Sequence, residues 1–526
     1  MHRSTIASRG MITAPNHLAA QAGMRILREG GNAIEAMVAA AATIAVTYPH
    51  MNGIGGDGFW LIHIPGSPPF GIAAYGLTGA DVHYKLFEDG VIPERGKLAA
   101  TTGAATVAGW SKALGVSKGL GGTTPIDRLL EDAIYYAEHG FPIGVSLSNA
   151  FTRKYEELSV IEEFKRTYYG EGRALKVGET LKQPALAETL KFLSKNGLED
   201  FYQGEVAKRI CDDFAHVGSF LKQEDLAAVE AQRVELLSVP LSCGTLYNLP
   251  PPTQGFATLL ILALFDRMSV DVADSSAHVH GLVEATKRAF IIRNRELAAP
   301  EVMTYDVKNA LSSDSVAKIL KTIDSDRAMA WLADSLKGDT VWLGCTDASG
   351  ISVSFIQSIY WEFGSGLQLP NTGILWQNRG SSFSLDRRSK NFIAPRKTPI
   401  HTLNPSIATL NDGRTMVCGT MGGDGQPQTQ AAILSRCALF GQGAQRAVSA
   451  PRWLLGKTWG AETNSLKIES DMDEGVISAL REKGHDVELV ASRNEIVGQA
   501  GIIVRHANGS IEGASDPRSD GAALGF

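Results

Sequence analysis

The fold is decided by residues 340–359, which read TVWLGCTDASGISVSFIQSI. Apolar and polar residues alternate on both sides of a short turn that ends at Gly350, and this pattern predicts a β-hairpin. A turn centred just before Gly350 would place Thr340 opposite Gln357 and beside Ser358. A slip of one residue would reverse the faces of the strand, so this register is a specific prediction.

The sequence pattern changes near residues 335–340. Upstream, helices are predicted at 16–29 and 33–47, and most of the middle third also has helical periodicity. Downstream, the hairpin is followed by short strands near 405–410 and 414–420. The chain therefore divides into a helix-rich N-terminal portion and a C-terminal portion that begins with a strand.

Composition excludes several classes of protein. The 526 residues are 44% hydrophobic and 20% charged, which is typical of a globular chain rather than a disordered one. The net charge is −6 without a basic block, which argues against nucleic acid as a partner. No apolar run is long enough to cross a membrane, and the N-terminus has no apolar signal segment, so we expect a cytoplasmic protein without a membrane partner. Five scattered cysteines give no zinc pattern, and we expect neither a metal nor an organic cofactor.

Thr340 is the most informative residue of the hairpin. A threonine that begins a strand is usually only a β-branched strand former. The functional alternative is an N-terminal nucleophile, whose hydroxyl attacks the Asp339 carbonyl and breaks the peptide bond. Thr340 would then hold a free α-amine, which titrates near about 7.7–8 and accepts the hydroxyl proton without a histidine. The Ser358 hydroxyl would position the Thr340 oxygen.

A glycine-rich segment, GTMGGDG at 419–425, follows a predicted strand and precedes a helix. Its backbone N–H groups could form an oxyanion hole or hold a phosphate, and a simple tight turn is equally compatible with the pattern. The histidines do not cluster, and HExxH and P-loop motifs are absent. Zinc protease and kinase functions therefore lack their usual motifs.

Several segments together resemble the γ-glutamyltranspeptidase family of N-terminal-nucleophile hydrolases, and the resemblance runs nearly from end to end. Each motif alone is modest, but their order along the chain is specific. The matching segments are GGNAIEA (30–36), GIGGDGF (53–59), Thr340 with Asp347 and Gly350, FGSG (363–366), TGIL (372–375), Gly422-Gly423 and GASDPRSDG (513–521).

The resemblance implies an α/β fold, the four-layer αββα sandwich of N-terminal-nucleophile hydrolases. It implies cleavage between Asp339 and Thr340 into a large-subunit portion, 1–339, and a small-subunit portion, 340–526. The two products would stay associated, with a homodimer of the processed unit as a further possibility. Gly422 and Gly423 match the oxyanion-hole glycines of the family, and Ser358 matches a hydroxyl that supports the nucleophile.

The departures from the family fall on residues that hold the amino-acid head of a γ-glutamyl substrate. An arginine normally binds the α-carboxylate, but the matching segment 74–79 reads AYGLTG. Loss of such a charged partner costs a few kcal/mol because the charge of the ligand is buried unpaired. The positions that match the other contacts to the amino-acid head hold His401, Thr402, Tyr360 and either Ser381 or Ser382. The family's histidine two residues after the nucleophile is replaced by Trp342.

Arg379 is a new candidate cation in the segment 376–380, WQNRG. A guanidinium can bind a carboxylate at two points, although a structural or solvated arginine is the simpler alternative. With Tyr360 and Trp342 narrowing the pocket, the pattern looks most like the transpeptidase-like amidohydrolase branch. It favours hydrolysis of a small anionic, oxamate-like amide through an acyl-enzyme on Thr340.

Two alternatives remain open. The first is a true γ-glutamyl hydrolase or transpeptidase that acts on glutathione-like substrates with an unusual head pocket. The second is an unprocessed, non-catalytic binding protein on the same scaffold.

Overall fold

The computed structural model describes residues 3–331, 338–457 and 463–526. The strands in this part of the chain are β1 Thr5–Ala7, β2 Gly10–Ala14, β3 Asp57–His63, β4 Phe70–Ala74, β5 Phe141–Pro142, β6 Thr180–Leu181, β7 Gln232–Val234, β8 Leu237–Leu241, β9 Gly244–Asn248, β10 Asp339–Asp347, β11 Ser352–Tyr360, β12 Ser406–Leu410, β13 Thr415–Thr420, β14 Trp453–Leu455, β15 Leu466–Glu469, β16 Val487–Val490, β17 Ala500–Arg505, β18 Ile511–Ser515 and β19 Ala522–Gly525.

The helices of the same residues are α1 His17–Arg28, α2 Ala33–Thr47, α3 Thr106–Gly119, α4 Ile126–His139, α5 Val145–Arg153, α6 Tyr155–Leu158, α7 Glu162–Tyr168, α8 Pro184–Asn196, α9 Asp200–Gln203, α10 Glu205–Val217, α11 Gln223–Ala227, α12 Gly255–Phe265, α13 Ser276–Glu296, α14 Val307–Ala310, α15 Ser313–Leu320, α16 Gly425–Leu434, α17 Ala444–Ser449 and α18 Glu474–Glu482.

Two antiparallel seven-stranded sheets form the centre of the molecule. One has the order β1-β18-β17-β13-β12-β9-β8, and the other has the order β19-β2-β10-β11-β3-β4-β7. Large apolar side chains fill the space between the sheets, among them Phe59, Trp342, Ile356 and Val417. The two sheets therefore pack face to face around one core layer.

Helices cover the outer face of each sheet. Helix α2 packs against β10 and β11, whereas α12 packs against β8 and β9. The sequence explains α2, because Asn32 and Glu35 form a capping box at its start and every residue of the helix is buried. The layers thus follow the order helix, sheet, sheet, helix, and the predicted αββα sandwich is confirmed.

The predicted hairpin exists, but its register was wrong by one residue. Val341, not Thr340, pairs with Gln357, and a bulge lies between Asp339 and Val341. The reason is the turn, in which Gly350 has a positive φ of 90°. The Asp347 N–H donates to the Ile351 carbonyl at 3.1 Å, so this hydrogen bond closes a loop of three residues, 348–350, rather than two. Thr340 consequently lies in the bulge.

The N-terminal and C-terminal portions are interleaved in both sheets. Strand β2 pairs with β10, and β3 pairs with β11, so strands from either side of residue 340 are hydrogen-bonded neighbours. A break at 339/340 would therefore leave two chains that share both sheets, and the division into 1–339 and 340–526 stays a prediction. Within the described residues, no helix has the length and apolar character needed to span a membrane.

Candidate active site

Two hydroxyl groups converge on the carbonyl oxygen of Asp339. Ser358 Oγ donates a hydrogen bond to this oxygen at 2.5 Å, and Thr340 Oγ1 donates to the same atom. The Ser358 oxygen in turn accepts the backbone N–H of Tyr360 at 2.8 Å. The bulge explains the approach, because it turns the Asp339–Thr340 peptide toward the end of β11. The hydroxyls of a serine and of a neighbouring threonine thus share one carbonyl, and the role of Thr340 as a nucleophile stays a prediction.

The Asp339 side chain contacts the same peptide bond. Its Oδ1 accepts the backbone N–H of Thr340 at 2.8 Å, and the residue is completely buried. Burial raises the pKa of Asp339 well above its usual value, and the negative charge of Glu362 raises it further. A buried carboxyl group with a strongly raised pKa therefore lies beside the nitrogen of the Asp339–Thr340 bond.

The predicted oxyanion glycines form a tight turn between β13 and α16. Gly422 has φ 109° and Gly423 has φ 50°, which are conformations that favour glycine. Gln254 Nε2 donates to the Gly423 carbonyl at 2.9 Å, and Arg293 binds Gln254 Oε1 at 2.7 Å. Arg293 also forms a fully buried ion pair with Asp424. This bracing network holds the turn in one conformation, whereas the oxyanion role of its N–H groups stays a prediction.

Gly338 lies among three residues that the sequence selected as site residues. A Cβ atom at Gly338 would lie 3.0 Å from Thr402 Oγ1, 3.4 Å from the Tyr360 ring and 3.5 Å from Gly423 Cα. Tyr360 itself has a positive φ of 81°, an uncommon conformation for a bulky residue. The backbone that precedes the Asp339–Thr340 bond therefore occupies the space between these residues.

Arg379 is buried without a hydrogen-bond partner. Its side chain has no exposed surface, and none of its three guanidinium nitrogens contacts an acceptor among the described residues. The guanidinium carbon lies 4.0 Å from the centre of the Tyr360 ring. Burial lowers the pKa of Arg379 to about 10, which still leaves the group charged at neutral pH. A buried cation that keeps its charge and lacks an acceptor is suited to bind an anion.

The other predicted substrate contacts lie near Arg379 or beside Tyr360. His401 packs edge-on against Phe59, and neither of its ring nitrogens has a hydrogen-bond partner in the part of the chain that the structure describes. Burial lowers the pKa of His401 well below its usual value, so the ring is neutral. The Thr402 hydroxyl, also without a partner, borders Gly338. The Ser382 hydroxyl donates to the Arg379 carbonyl at 2.8 Å and closes a short 3₁₀ turn.

Trp342 has different surroundings from the other predicted site residues. Its indole nitrogen donates to Ser354 Oγ at 2.9 Å, and the ring belongs to the core between the sheets. A Cβ at Gly419 would lie 2.1 Å from the ring, and one at Gly501 would lie 2.5 Å from it. These contacts are explained by packing, and the proposed role of Trp342 in narrowing the substrate pocket stays a prediction.

Sequence reasoning missed four functional neighbours. Gln426 Nε2 lies 3.4 Å from Thr340 Oγ1, and Gln254 and Arg293 brace the glycine turn. Asp57 is a buried carboxyl near Arg379. Only Asp57 and Gln426 carried a signal, since each lies in or next to a glycine-rich segment that the sequence had singled out.

One group of side chains has the composition of a metal site. His280, Glu284 and His485 bring their ligand atoms within 4.8 Å of one another. Glu284, however, already forms ion pairs with Lys287 at 2.7 Å and Arg288 at 3.0 Å. Two cations therefore neutralise this carboxylate, which disfavours a further positive ion.

Comparison with solved structures defines the class of protein. Cephalosporin acylase from Bacillus halodurans superimposes with a TM-score of 0.91 at 30% identity, over 100% of this chain and 97% of that chain. Helicobacter pylori gamma-glutamyltranspeptidase gives a TM-score of 0.56 at 26% identity, over 59% of this chain and 91% of that chain. With its αββα sandwich, the chain is an N-terminal-nucleophile enzyme, an amide hydrolase or acyltransferase.

Sequence comparison then gives the family. The model described as Gamma-glutamyltranspeptidase matches residues 19–526. The oxamate amidohydrolase proenzyme of Klebsiella pneumoniae is 50% identical over 528 residues, and the glutathione hydrolase-like YwrD proenzyme of Bacillus subtilis is 36% identical over 532 residues, with all of both chains covered in each case. The chain belongs to the gamma-glutamyltranspeptidase family, as the motifs of the sequence had indicated.

Proposed function

We propose that this chain is an autoprocessed amidohydrolase that cleaves itself between Asp339 and Thr340 and then hydrolyses a small anionic amide. One observation carries the proposal, namely the convergence of the Thr340 and Ser358 hydroxyls on the Asp339 carbonyl. The relatives that cover the whole chain are named as proenzymes, which supports a precursor that matures by cleavage.

Maturation begins when Thr340 Oγ1 attacks the Asp339 carbonyl carbon. The Ser358 hydroxyl, 2.5 Å from the carbonyl oxygen, stabilises the negative charge that develops there. The carbon–nitrogen bond breaks, the hydroxyl proton ends on the Thr340 nitrogen, and an ester joins Asp339 to Thr340 Oγ1. Water then hydrolyses the ester and leaves a carboxylate on Asp339 and a free amine on Thr340.

The mature enzyme repeats this chemistry on a substrate amide. The Thr340 α-amine takes the proton of its own hydroxyl, since amines of this kind titrate near about 7.7–8. The hydroxyl oxygen attacks the amide carbon, the amine passes the proton to the leaving nitrogen, and an acyl-enzyme remains on Thr340. The N–H groups of Gly422 and Gly423 stabilise the oxyanion, and water releases the acid.

The charge of the site supports an anionic substrate. Arg379 is a buried cation with three unpartnered nitrogens, and a substrate carboxylate would satisfy it at two points. Tyr360 and Thr402 surround the backbone of Gly338, so cleavage and departure of this segment would free space for a small acyl group. The relative at 50% identity is named for oxamate, a small amide that carries one carboxylate.

The nucleophile is tested by Thr340→Ala. We expect this variant to remain one chain of full length by intact mass and to lack amidase activity. Thr346→Ala is the matched control, because Thr346 is a buried threonine on the same strand whose hydroxyl bonds Ser352. A Thr340→Ala protein that still divides at 339/340, or still turns over substrate, would contradict the proposal.

The substrate class is tested with a panel of oxamate, a γ-glutamyl anilide and a glutaryl amide. We expect hydrolysis of oxamate, and we expect Arg379→Met to lose about 2–5 kcal/mol of transition-state binding, the usual effect of unpairing a buried charge. Release of chromophore from the γ-glutamyl anilide, with no action on oxamate, would favour the glutathione hydrolase alternative. If the processed protein hydrolyses none of the three amides, the substrate assignment is wrong, but the proposed self-cleavage is not contradicted.

A further inference from the structure

Asp57 is a buried carboxyl group that the proposed mechanism does not use. It begins β3 and pairs directly with Ser358 of β11, so the two side chains share one face of the sheet. Phe59, two residues further on, belongs to the core between the sheets, which places Asp57 on the face turned toward the opposite sheet. Asp57 therefore lies beside the hydroxyl that contacts the scissile carbonyl.

Asp57 and Arg379 are close enough to interact but do not pair. Gly55 and Trp376 form a parallel bridge, which places the segments that lead to Asp57 and Arg379 side by side. Each group affects the pKa of the other, and no ion pair joins them among the described residues. Asp57 Oδ1 accepts two backbone N–H groups, whereas Oδ2 has no partner among those residues. A buried carboxyl and a buried guanidinium thus lie near each other, each with unused hydrogen-bonding atoms.

We propose that Asp57 couples proton uptake to the binding of an anionic substrate: its carboxyl becomes protonated when a carboxylate occupies the site at Arg379. This inference rests on the proposed anion site at Arg379. A substrate carboxylate neutralises the guanidinium and adds a second negative charge beside Asp57, and two buried carboxylates cannot both stay ionised. The proton comes from solvent, so the bound state gains one proton, and the neutral carboxyl no longer repels the bound anion.

The charge of Asp57 is poised for this change. Burial raises the pKa of Asp57 to about 7, although the charge of Arg379 and the backbone hydrogen bonds from Gly76 and Ala105 lower it. Anion binding neutralises Arg379 and raises this pKa further. The affinity for an anion is therefore greatest below about pH 7, where Asp57 is already protonated. Above this pH the affinity falls by up to about tenfold for each pH unit, until the pH reaches the higher pKa that Asp57 has in the bound state.

The other titratable side chains around Asp57 do not change their protonation state near pH 7. Burial raises the pKa values of Tyr75 and Tyr202, and burial lowers the pKa of His401 well below its usual value. All three are neutral near pH 7. The Thr340 α-amine of the processed enzyme does titrate there, so the experiment must separate an amine from a carboxyl.

The test uses oxalate as an anionic probe and isothermal titration calorimetry on the processed enzyme near pH 8. Buffers of different ionisation heat report the number of protons taken up on binding. We expect the wild type to take up protons when oxalate binds. Asp57→Asn should take up fewer protons, because the carboxyl group is absent. Above pH 7 this variant should also bind oxalate more tightly than the wild type does. Asp213→Asn is the control, since Asp213 is a buried carboxyl that accepts the backbone N–H groups of Asn371 and Thr372 elsewhere in the fold.

Infrared difference spectroscopy keeps the inference testable if Asp57→Asn does not fold. Oxalate binding to the wild type should produce the carbonyl band of a protonated carboxyl, which an amine cannot give. Absence of this band overturns the inference, and so does weaker oxalate binding by a folded Asp57→Asn protein. If neither the wild type nor Arg379→Met binds oxalate, the anion site of the proposed function is wrong as well. This result differs from oxalate binding without the carboxyl band, which contradicts only the role of Asp57.

Discussion

Ser358→Ala tests how the fold promotes its own cleavage. The substitution removes the hydroxyl that donates to the Asp339 carbonyl at 2.5 Å and leaves the Thr340 hydroxyl in place. In the proposed mechanism, negative charge develops on that carbonyl oxygen when Thr340 attacks. We therefore expect the variant to fold around the same bulge and to mature slowly.

The size of the effect follows from the lost hydrogen bonds. Removal of one donor from an oxyanion site costs about 2.7–4 kcal/mol, which corresponds to roughly 10²–10³ in rate. The Tyr360 N–H also loses its acceptor, and an unsatisfied buried donor costs about 1–3 kcal/mol of folding free energy. The rate of cleavage should fall much further than the loss of stability alone would explain.

The assay is intact mass spectrometry of freshly purified protein during incubation, with urea unfolding in parallel. Ser354→Ala is a matched control, because Ser354 is also a buried serine on the same face of β11 and accepts the Trp342 indole N–H at 2.9 Å. It should lose similar stability but mature within about threefold of the wild-type rate. Equal maturation rates for the two variants would refute a role for the Ser358 hydroxyl in charge stabilisation.

Two further substitutions test the packing around the site. Trp342→Ala should cost about 3–5 kcal/mol by urea unfolding, because the indole fills the space over Gly419 between the sheets; a loss under about 1 kcal/mol would contradict a packing role. Asp424→Asn should also cost about 3–5 kcal/mol, because the Arg293 guanidinium stays buried without its carboxylate. It should slow maturation too, since Arg293 holds Gln254 against the glycine turn, and an unchanged unfolding midpoint would contradict this account.

The sequence predicted elements whose signals are local. Helix α2 was evident from its capping residues and apolar composition, and the hairpin was evident from alternation around a glycine turn. The register was missed by one residue because the left-handed conformation of Gly350 lengthens the loop, and sequence alternation does not fix loop length. The order of motifs indicated the family, although no single motif did.

Contacts between distant segments could not be predicted in this way. Arg379 was selected for its charge, but Asp57 lies 322 positions earlier and comes near it through the bridge between Gly55 and Trp376. Trp342 was assigned to the pocket because it stands where the family has a histidine two residues after the nucleophile; it lies on the same face of the strand as Thr340. Which side chains on that face fill the core depends on the opposite sheet, whose glycines accommodate the ring.

The position of Gly338 connects maturation with substrate choice. In the uncleaved chain this residue lies between Tyr360, Thr402 and Gly423, the groups expected to surround a substrate acyl group. In the proposed mechanism, the carbonyl that Thr340 first attacks is therefore presented by a segment that has no side chain at Gly338. Because the interior is close-packed, a substrate that places its carbonyl where that of Asp339 lay has room for only a short acyl group. We therefore expect amidase activity to fall steeply as methylene groups are added between the amide and the carboxylate.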